Sequence, residues 1–250
     1  MQWSWEYFFQ YLFSGYMVEG VWTTVWLAVV SMIIGVTLGV VLAFMKMSQT
    51  GVLRAFANTY IWLWRGTPLL VQMVIIYTGL PQVGIRLGVI ESAILALSLH
   101  EGAYFAEIVR SGILSVSKGQ EDASRALGMK WAQRMRIVIL PQATRVIIPP
   151  LGNQFKLMLK TTSLASVISM EELLRHAQQL AQIEFRVLEV YLVAACWYIL
   201  LTTIWGQIQQ RLENHYDKPF GPAGKPEDPK DGGKDSPLKN PLKNPVADQI

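Results

Sequence analysis

Cysteine and charge are what this sequence has least of, and each shortage closes off a class of protein. Cys196 is the single thiol in 250 residues, so the chain cannot form an internal disulfide. Its three histidines are scattered, and without a second cysteine there is no ligand set for a thiolate metal centre. Charged residues make up 16% of the sequence against 52% hydrophobic, where a soluble domain carries roughly 25% charge. Three stretches have no charged side chain at all: 26 residues over 20–45, 20 over 66–85 and 21 over 190–210.

Catalytic signatures are missing too. His100-Glu101 opens a zinc-protease-like H-E-x-x-H, but Tyr104 stands where the second histidine belongs. There is no G-x-x-x-x-G-K-[ST], hence no P-loop to cradle the phosphates of ATP. The chain is expected to have no catalytic residue, no metal site and no cofactor of its own. The opening MQWSWEYFFQ has no basic residue, so a cleaved signal peptide is not expected and the first apolar span should serve as the insertion signal.

Roughly 20 residues at about 1.5 Å rise cross a hydrocarbon core of about 30 Å, so each charge-free stretch can span a bilayer as a helix. Two further stretches are interrupted: 88–112 by Glu91, His100, Glu101, Glu107 and Arg110, and 144–168 by Arg145, Pro149-Pro150, Lys156 and Lys160. In such company they are expected to line something polar within the membrane. The fold class expected is an all-α integral membrane protein of about five transmembrane helices with a short cytoplasmic coupling helix. Residues 1–19 form an extracytoplasmic arm in this reading, 20–216 the transmembrane domain and 217–250 a tail. That tail holds seven prolines, four glycines, six lysines and six acidic residues, and should be a disordered cytoplasmic segment.

Lysine and arginine alternate between loops. Lys46 and Arg54 follow the first span, and Lys118, Arg125, Lys130, Arg134 and Arg136 lie between the third and fourth. The arm has none, the connection after the second span only Arg86, and the stretch after the fourth Arg175 and Arg186. The positive-inside rule then places the N-terminus outside and the C-terminus in the cytoplasm. Membrane lipid, not nucleic acid, is the expected surroundings. Residues 48–59 should form a surface helix leading to the second span, with Gly66-Thr67-Pro68 marking its start and Leu80-Pro81 and Gly84 its end.

Between the third and fourth spans runs a charged amphipathic segment, GQEDASRALGMKWAQRMRIVILP. Gly119 can break the extension of the third span, Asp122 suits the first turn of a short helix, and Gly128 can end or bend that helix. Trp131, Met135 and Val138 recur at helical spacing. In the third span, Glu107 and Arg110 can pair on one face. Glu101, deeper in, is either a contact for a substrate's ammonium or cationic side chain, or a buried protonated acid. In the fourth span Pro149-Pro150 and Gly152 should kink or break the helix, leaving carbonyls to face a cavity beside Asn153 and Gln154. Lys156 and Lys160 either snorkel to head groups or draw an anionic group inward.

Read by residue type, Asp122-Ala123-Ser124, Gly128, Val138 and Leu140-Pro141 resemble the EAA loop (E-A-A-x3-G-x9-I-x-L-P) of ATP-binding-cassette importer permeases, with Asp for Glu, Ser for Ala and Val for Ile. Segments 60–72, 102–113, 141–153 and 160–164 are similar to successive parts of the polar amino-acid permeases of that superfamily. The resemblance implies a permease subunit in a bacterial inner membrane that translocates a polar amino acid. It implies three protein partners: a cytoplasmic ATPase dimer that binds ATP and Mg, a second permease subunit, and an extracytoplasmic solute-binding protein meeting outer loops that include 171–186. Asp122, Ala123, Ser124, Gly128, Leu140 and Pro141 are then the ATPase-coupling residues, and Glu101, Asn153, Gln154 and Lys160 the candidate substrate pathway. A self-sufficient ion-coupled carrier or channel, whose acids handle protons or sodium, is the alternative; a purely structural membrane scaffold is a third.

Overall fold

The computed structural model describes residues 3–217. The predicted disordered tail lies outside the described residues. Ten α-helices follow one another without a strand among the described residues: α1 (Trp5–Leu12), α2 (Gly15–Met47), α3 (Gly51–Gly66), α4 (Leu69–Val74), α5 (Val89–Leu114), α6 (Lys118–Ala126), α7 (Trp131–Gln133), α8 (Leu140–Thr161), α9 (Leu173–Glu184) and α10 (Val187–Asp217). Helices α2 and α10 are long and apolar enough by themselves to cross a membrane, and Leu69–Val83 is a shorter apolar passage. With α5 and α8, whose charges set them apart, these make the five crossings of an all-α membrane protein.

Helix α2 begins inside the predicted arm, because Ser14 caps it by accepting a hydrogen bond from the Met17 N–H at 3.3 Å. Its 33 residues reach about 50 Å, more than the hydrocarbon core requires. Small residues seat it against α5. A Cβ on Gly39 would fall 2.5 Å from Phe105 Cβ and 2.9 Å from the Ala106 nitrogen, and one on Gly102 would fall 2.8 Å from Leu38. Without side chains at these points the two backbones approach closely, which is how helices associate where lipid removes the hydrophobic drive between them. The opposite faces of α2 and α10 present Trp22, Ile33, Val41, Ile199 and Ile204, all exposed. Such a surface suits acyl chains and would be a liability in water.

The surface helix after the first span is longer than expected: α3 runs to Gly66 rather than ending near residue 59. The chain then breaks at Thr67, in extended conformation, and Pro68 precedes α4. The second crossing continues from α4 as a π-helical stretch (Ile75–Gly79) and a 3₁₀ turn (Leu80–Val83), and ends at Gly84 with φ +90°. A second π-helical stretch, Arg134–Ile139, joins α7 to α8. Both π stretches run into a Leu-Pro pair, Leu80-Pro81 and Leu140-Pro141. Each proline lacks the N–H that would bond the carbonyl four residues back, so a wider turn replaces the ordinary one.

Helix α8 corrects an expectation. It remains helical from Leu140 to Thr161 through Pro149-Pro150 and is not broken there. Side chains of α10 brace the stretch: Gln209 Nε2 donates to the Pro149 carbonyl at 3.3 Å and Trp205 Nε1 to the Gly152 carbonyl at 2.8 Å. Gly152 lets Gln209 in, since a Cβ there would sit 2.6 Å from its side chain.

Candidate coupling and translocation site

Helix α5 ends at Leu114, and after a turn over 115–117 the chain enters α6. Gly119 therefore lies within α6, and the break before it falls three residues earlier than its glycine suggested. Glu121, not Asp122, is the acid of the first turn, and Asp122 follows it directly. Gly128 terminates the helix. Its N–H donates to the Arg125 carbonyl at 2.9 Å and that of Met129 to the Ser124 carbonyl at 3.1 Å, with Gly128 at φ +72°. This paired bonding satisfies carbonyls that a helix end otherwise leaves open, and it needs a left-handed residue at that point.

Within α6, Asp122 and Ala123 face outward while Ser124 is buried and donates from Oγ to the Glu121 carbonyl at 2.6 Å. Arg125 reaches back one turn to Glu121 Oε1 at 2.6 Å. That hydrogen bond raises the Arg125 pKa above its ordinary value. Leu127, 80% exposed, and Trp131, 60% exposed, stand out from the same loop. Of the residues picked out by spacing, Met135 anchors the root of the loop, buried together with Ile139 among Val109, Ile113, Ala143 and Ile147, whereas Val138 is half-buried and Trp131 is exposed and meets Phe44 edge-on. Leu140 and Pro141 lie exposed at the start of α8. The segment is thus a rigid projection whose base is packed into α2, α5 and α8.

Inside the bundle, Glu101 lies midway along α5 and is 1% exposed. Gln154 of α8 donates from Nε2 to Glu101 Oε2 at 2.8 Å. These two predicted pathway residues come together. Asn153 does not join them; it is exposed and its Oδ1 accepts from Gln209 of α10 at 3.3 Å. Lys160 is exposed near the end of α8, away from the Glu101–Gln154 pair, and Lys156 is exposed as well.

Sequence reasoning missed three polar groups. Gln72 donates to the Trp64 carbonyl at 2.9 Å and to Thr67 Oγ1 at 2.7 Å, closing the break before α4, while its Oε1 meets His100 Nδ1 at 2.9 Å. A glutamine just after a proline break was the available signal. Lys46 joins Arg110 on Glu107, so the expected pair is a three-residue cluster tying α2 to α5. Glu172, fully buried at the start of α9, accepts from the Arg175 N–H at 2.8 Å and from the Tyr198 hydroxyl at 2.9 Å. Beside it His176 stacks on Tyr16 with ring centroids 4.2 Å apart.

Residues 35–218 match the family described as the inner membrane component of binding-protein-dependent transport systems. The chain belongs to this family. The arginine transport system permease protein ArgU of Corynebacterium glutamicum is 42% identical to this permease over 230 residues, covering 86% of this chain and 72% of the relative. The probable amino-acid ABC transporter permease protein YckA of Bacillus subtilis is 38% identical, covering 85% and 96%. Among solved structures, the crystal structure of an amino acid ABC transporter with histidines superposes with a TM-score of 0.81 at 37% identity, over 86% of this chain and all of that one. The methionine transporter MetNI, at 20% identity and a TM-score of 0.68, shares the fold. Membership sets aside both the self-sufficient carrier and the structural scaffold, and makes this permease an integral inner-membrane protein of an importer.

Proposed function

We propose that this permease translocates a polar amino acid, powered by a separate ATPase that docks on α6. The observation that carries the proposal is the continuity of the loop. Helix α6 is closed at Gly128 and rooted through Met135 and Ile139 in the packing of α2, α5 and α8, and the Glu101–Gln154 hydrogen bond joins α5 to α8 farther along. A push on α6 reaches both helices that hold the buried pair. In this mechanism the partner dimer would hold ATP and Mg and supply the energy of hydrolysis; as that dimer closes, α6 moves with it, and α5 and α8 shift against each other so that Gln154 releases Glu101.

Glu101 released from Gln154 offers a carboxylate to the ammonium or cationic side chain of a substrate near mid-membrane. The named substrates of the relatives, arginine for ArgU and glutamine for GlnP of Escherichia coli, support an amino acid as cargo. Outward-facing Asp122, Ala123, Leu127 and Gly128 form the contact with the ATPase, and Leu140-Pro141 relays motion into α8. A second permease subunit completes the path, because one such bundle is too small to enclose it. An extracytoplasmic solute-binding protein delivers cargo at the end of the bundle where α9 lies. The N-terminus is outside and the C-terminus cytoplasmic, in keeping with the basic residues around α6.

The test is reconstitution of the full chain with its ATPase and binding protein in liposomes, followed by uptake of a panel of amino acids. Uptake should require ATP and binding protein together; uptake that continues without nucleotide refutes the proposal. Orientation is read from a cysteine introduced at Gly119 in a Cys196→Ser background, which makes position 119 the single thiol of the chain. Labelling of position 119 from outside would reverse the topology.

A further inference from the structure

Lys46, Arg54 and Arg110 converge on a cavity of about 350 Å³ at the end of the bundle where α5 passes towards α6, with Met47, Asn58 and Leu114 completing its walls. One carboxylate answers two of these three cations: Glu107 pairs with both Lys46 and Arg110. Arg54 is exposed and has no partner among the described residues. The cations come from the last turn of α2, the start of α3 and the final turns of α5, so the fold concentrates positive charge that no coupling residue uses. Beside Arg54 on α3, Val52 is 78% and Phe56 57% exposed, and Leu114 on the cavity wall is 61% exposed. A cationic cavity bordered by bare apolar side chains matches a ligand with an anionic head and a hydrocarbon body.

We propose that this cavity binds the phosphodiester headgroup of an anionic phospholipid, whose acyl chains lie along the apolar face of α3. Basic pockets between helices at the cytoplasmic surface are suited to such headgroups. Placement in the cytoplasmic leaflet rests on the orientation given above; the chemistry of the cavity does not. Arg54 supplies the free charge, Lys46 and Arg110 the walls already held by Glu107, and Asn58 a neutral donor. Bound there, the lipid bridges the ends of α2, α3 and α5 next to the element that leads into the coupling helix.

The experiment is native mass spectrometry of the intact transporter complex, purified in detergent and titrated with phosphatidylglycerol or phosphatidylcholine. Phosphatidylglycerol should be retained in preference, and Arg54→Gln should weaken its retention about fivefold, the effect of one surface cation on an anionic lipid. Arg54→Lys should retain it nearly as well as the parent. Equal retention of the two lipids, or retention unmoved by Arg54→Gln, overturns the proposal. Displacement of the lipid by inorganic phosphate at millimolar concentration would assign the cavity to a soluble anion, and loss of the co-purified ATPase from Arg54→Gln with lipid retained would assign it to a protein contact; either result also overturns it. Because the readout is bound lipid, failure here leaves the transport reading untouched.

Discussion

Substituting Gly128 by valine tests the coupling helix at its most sensitive point. Nothing in this chain lies within 4 Å of a Cβ built on Gly128, so within the permease itself the penalty is conformational. The backbone there has φ +72°, where an L-residue costs roughly 1–2 kcal/mol and a β-branched one more. A nine-residue helix has little stability of its own to offset that cost. The chain escapes by giving up the bonds from the Gly128 and Met129 N–H groups to Arg125 and Ser124, and α6 frays. A cost of that size lowers the population of the correctly ended helix by about 5–30-fold. Substrate-stimulated ATPase activity of the reconstituted complex should fall accordingly, while expression and membrane insertion stay at parental levels. Gly128→Asn should be milder, since asparagine tolerates the left-handed region. Gly119→Ala should be neutral or favourable, since that residue lies in the first turn of the helix with open space around it and alanine favours a helix by up to about 1 kcal/mol. Parental coupling in Gly128→Val, or equal damage from Asn and Val, would refute the reasoning.

Glu101→Gln keeps the shape of the buried pair but removes the carboxylate, and uptake kinetics across an amino-acid panel should show about a tenfold or greater loss of affinity for ammonium-directed recognition; unchanged kinetics would remove Glu101 from the path. Gly39→Val forces atoms into Phe105 and Ala106 and should cost about 1–3 kcal/mol or more, seen as a lower melting temperature in detergent, whereas Gly15→Ala, with nothing near it, should melt like the parent. Tyr198→Phe takes one donor from buried Glu172 and should destabilise by about 1–3 kcal/mol in the same assay, with substrate preference unmoved.

What was legible in the sequence was what local pattern encodes. Charge-free runs of bilayer length gave α2, the Leu69–Val83 passage and α10, and a glycine at the right offset in a charged segment gave the end of α6. Long-range pairings left no such trace. Glu101 and Gln154 are 53 residues apart and Lys46 and Glu107 are 61 apart, and only the packed bundle brings them together. Pro149-Pro150 reads as a kink or a break because local rules see lost donors; the bonds that brace the helix and keep it continuous come from Gln209 and Trp205 on another helix. The wide turns before Leu80-Pro81 and Leu140-Pro141 escaped for the opposite reason, since a proline announces a disturbance without saying how the backbone absorbs it.

The glycine contacts divide the bundle into two packed pieces, α2 with α5 and, against them, α8. With Gly39 under Phe105, even a small slide of α2 along α5 drives backbone into backbone, so those two helices travel as one piece. Helix α8 packs closely on that piece where a Cβ on Gly112 would lie 2.2 Å from Ile147, close to the root of the coupling segment. Such a point acts as a fulcrum: Leu140 and Gln154 lie the same number of residues to either side of Ile147, so a tilt imposed at the root of the coupling segment reappears at Gln154 with about the same size and the opposite sense.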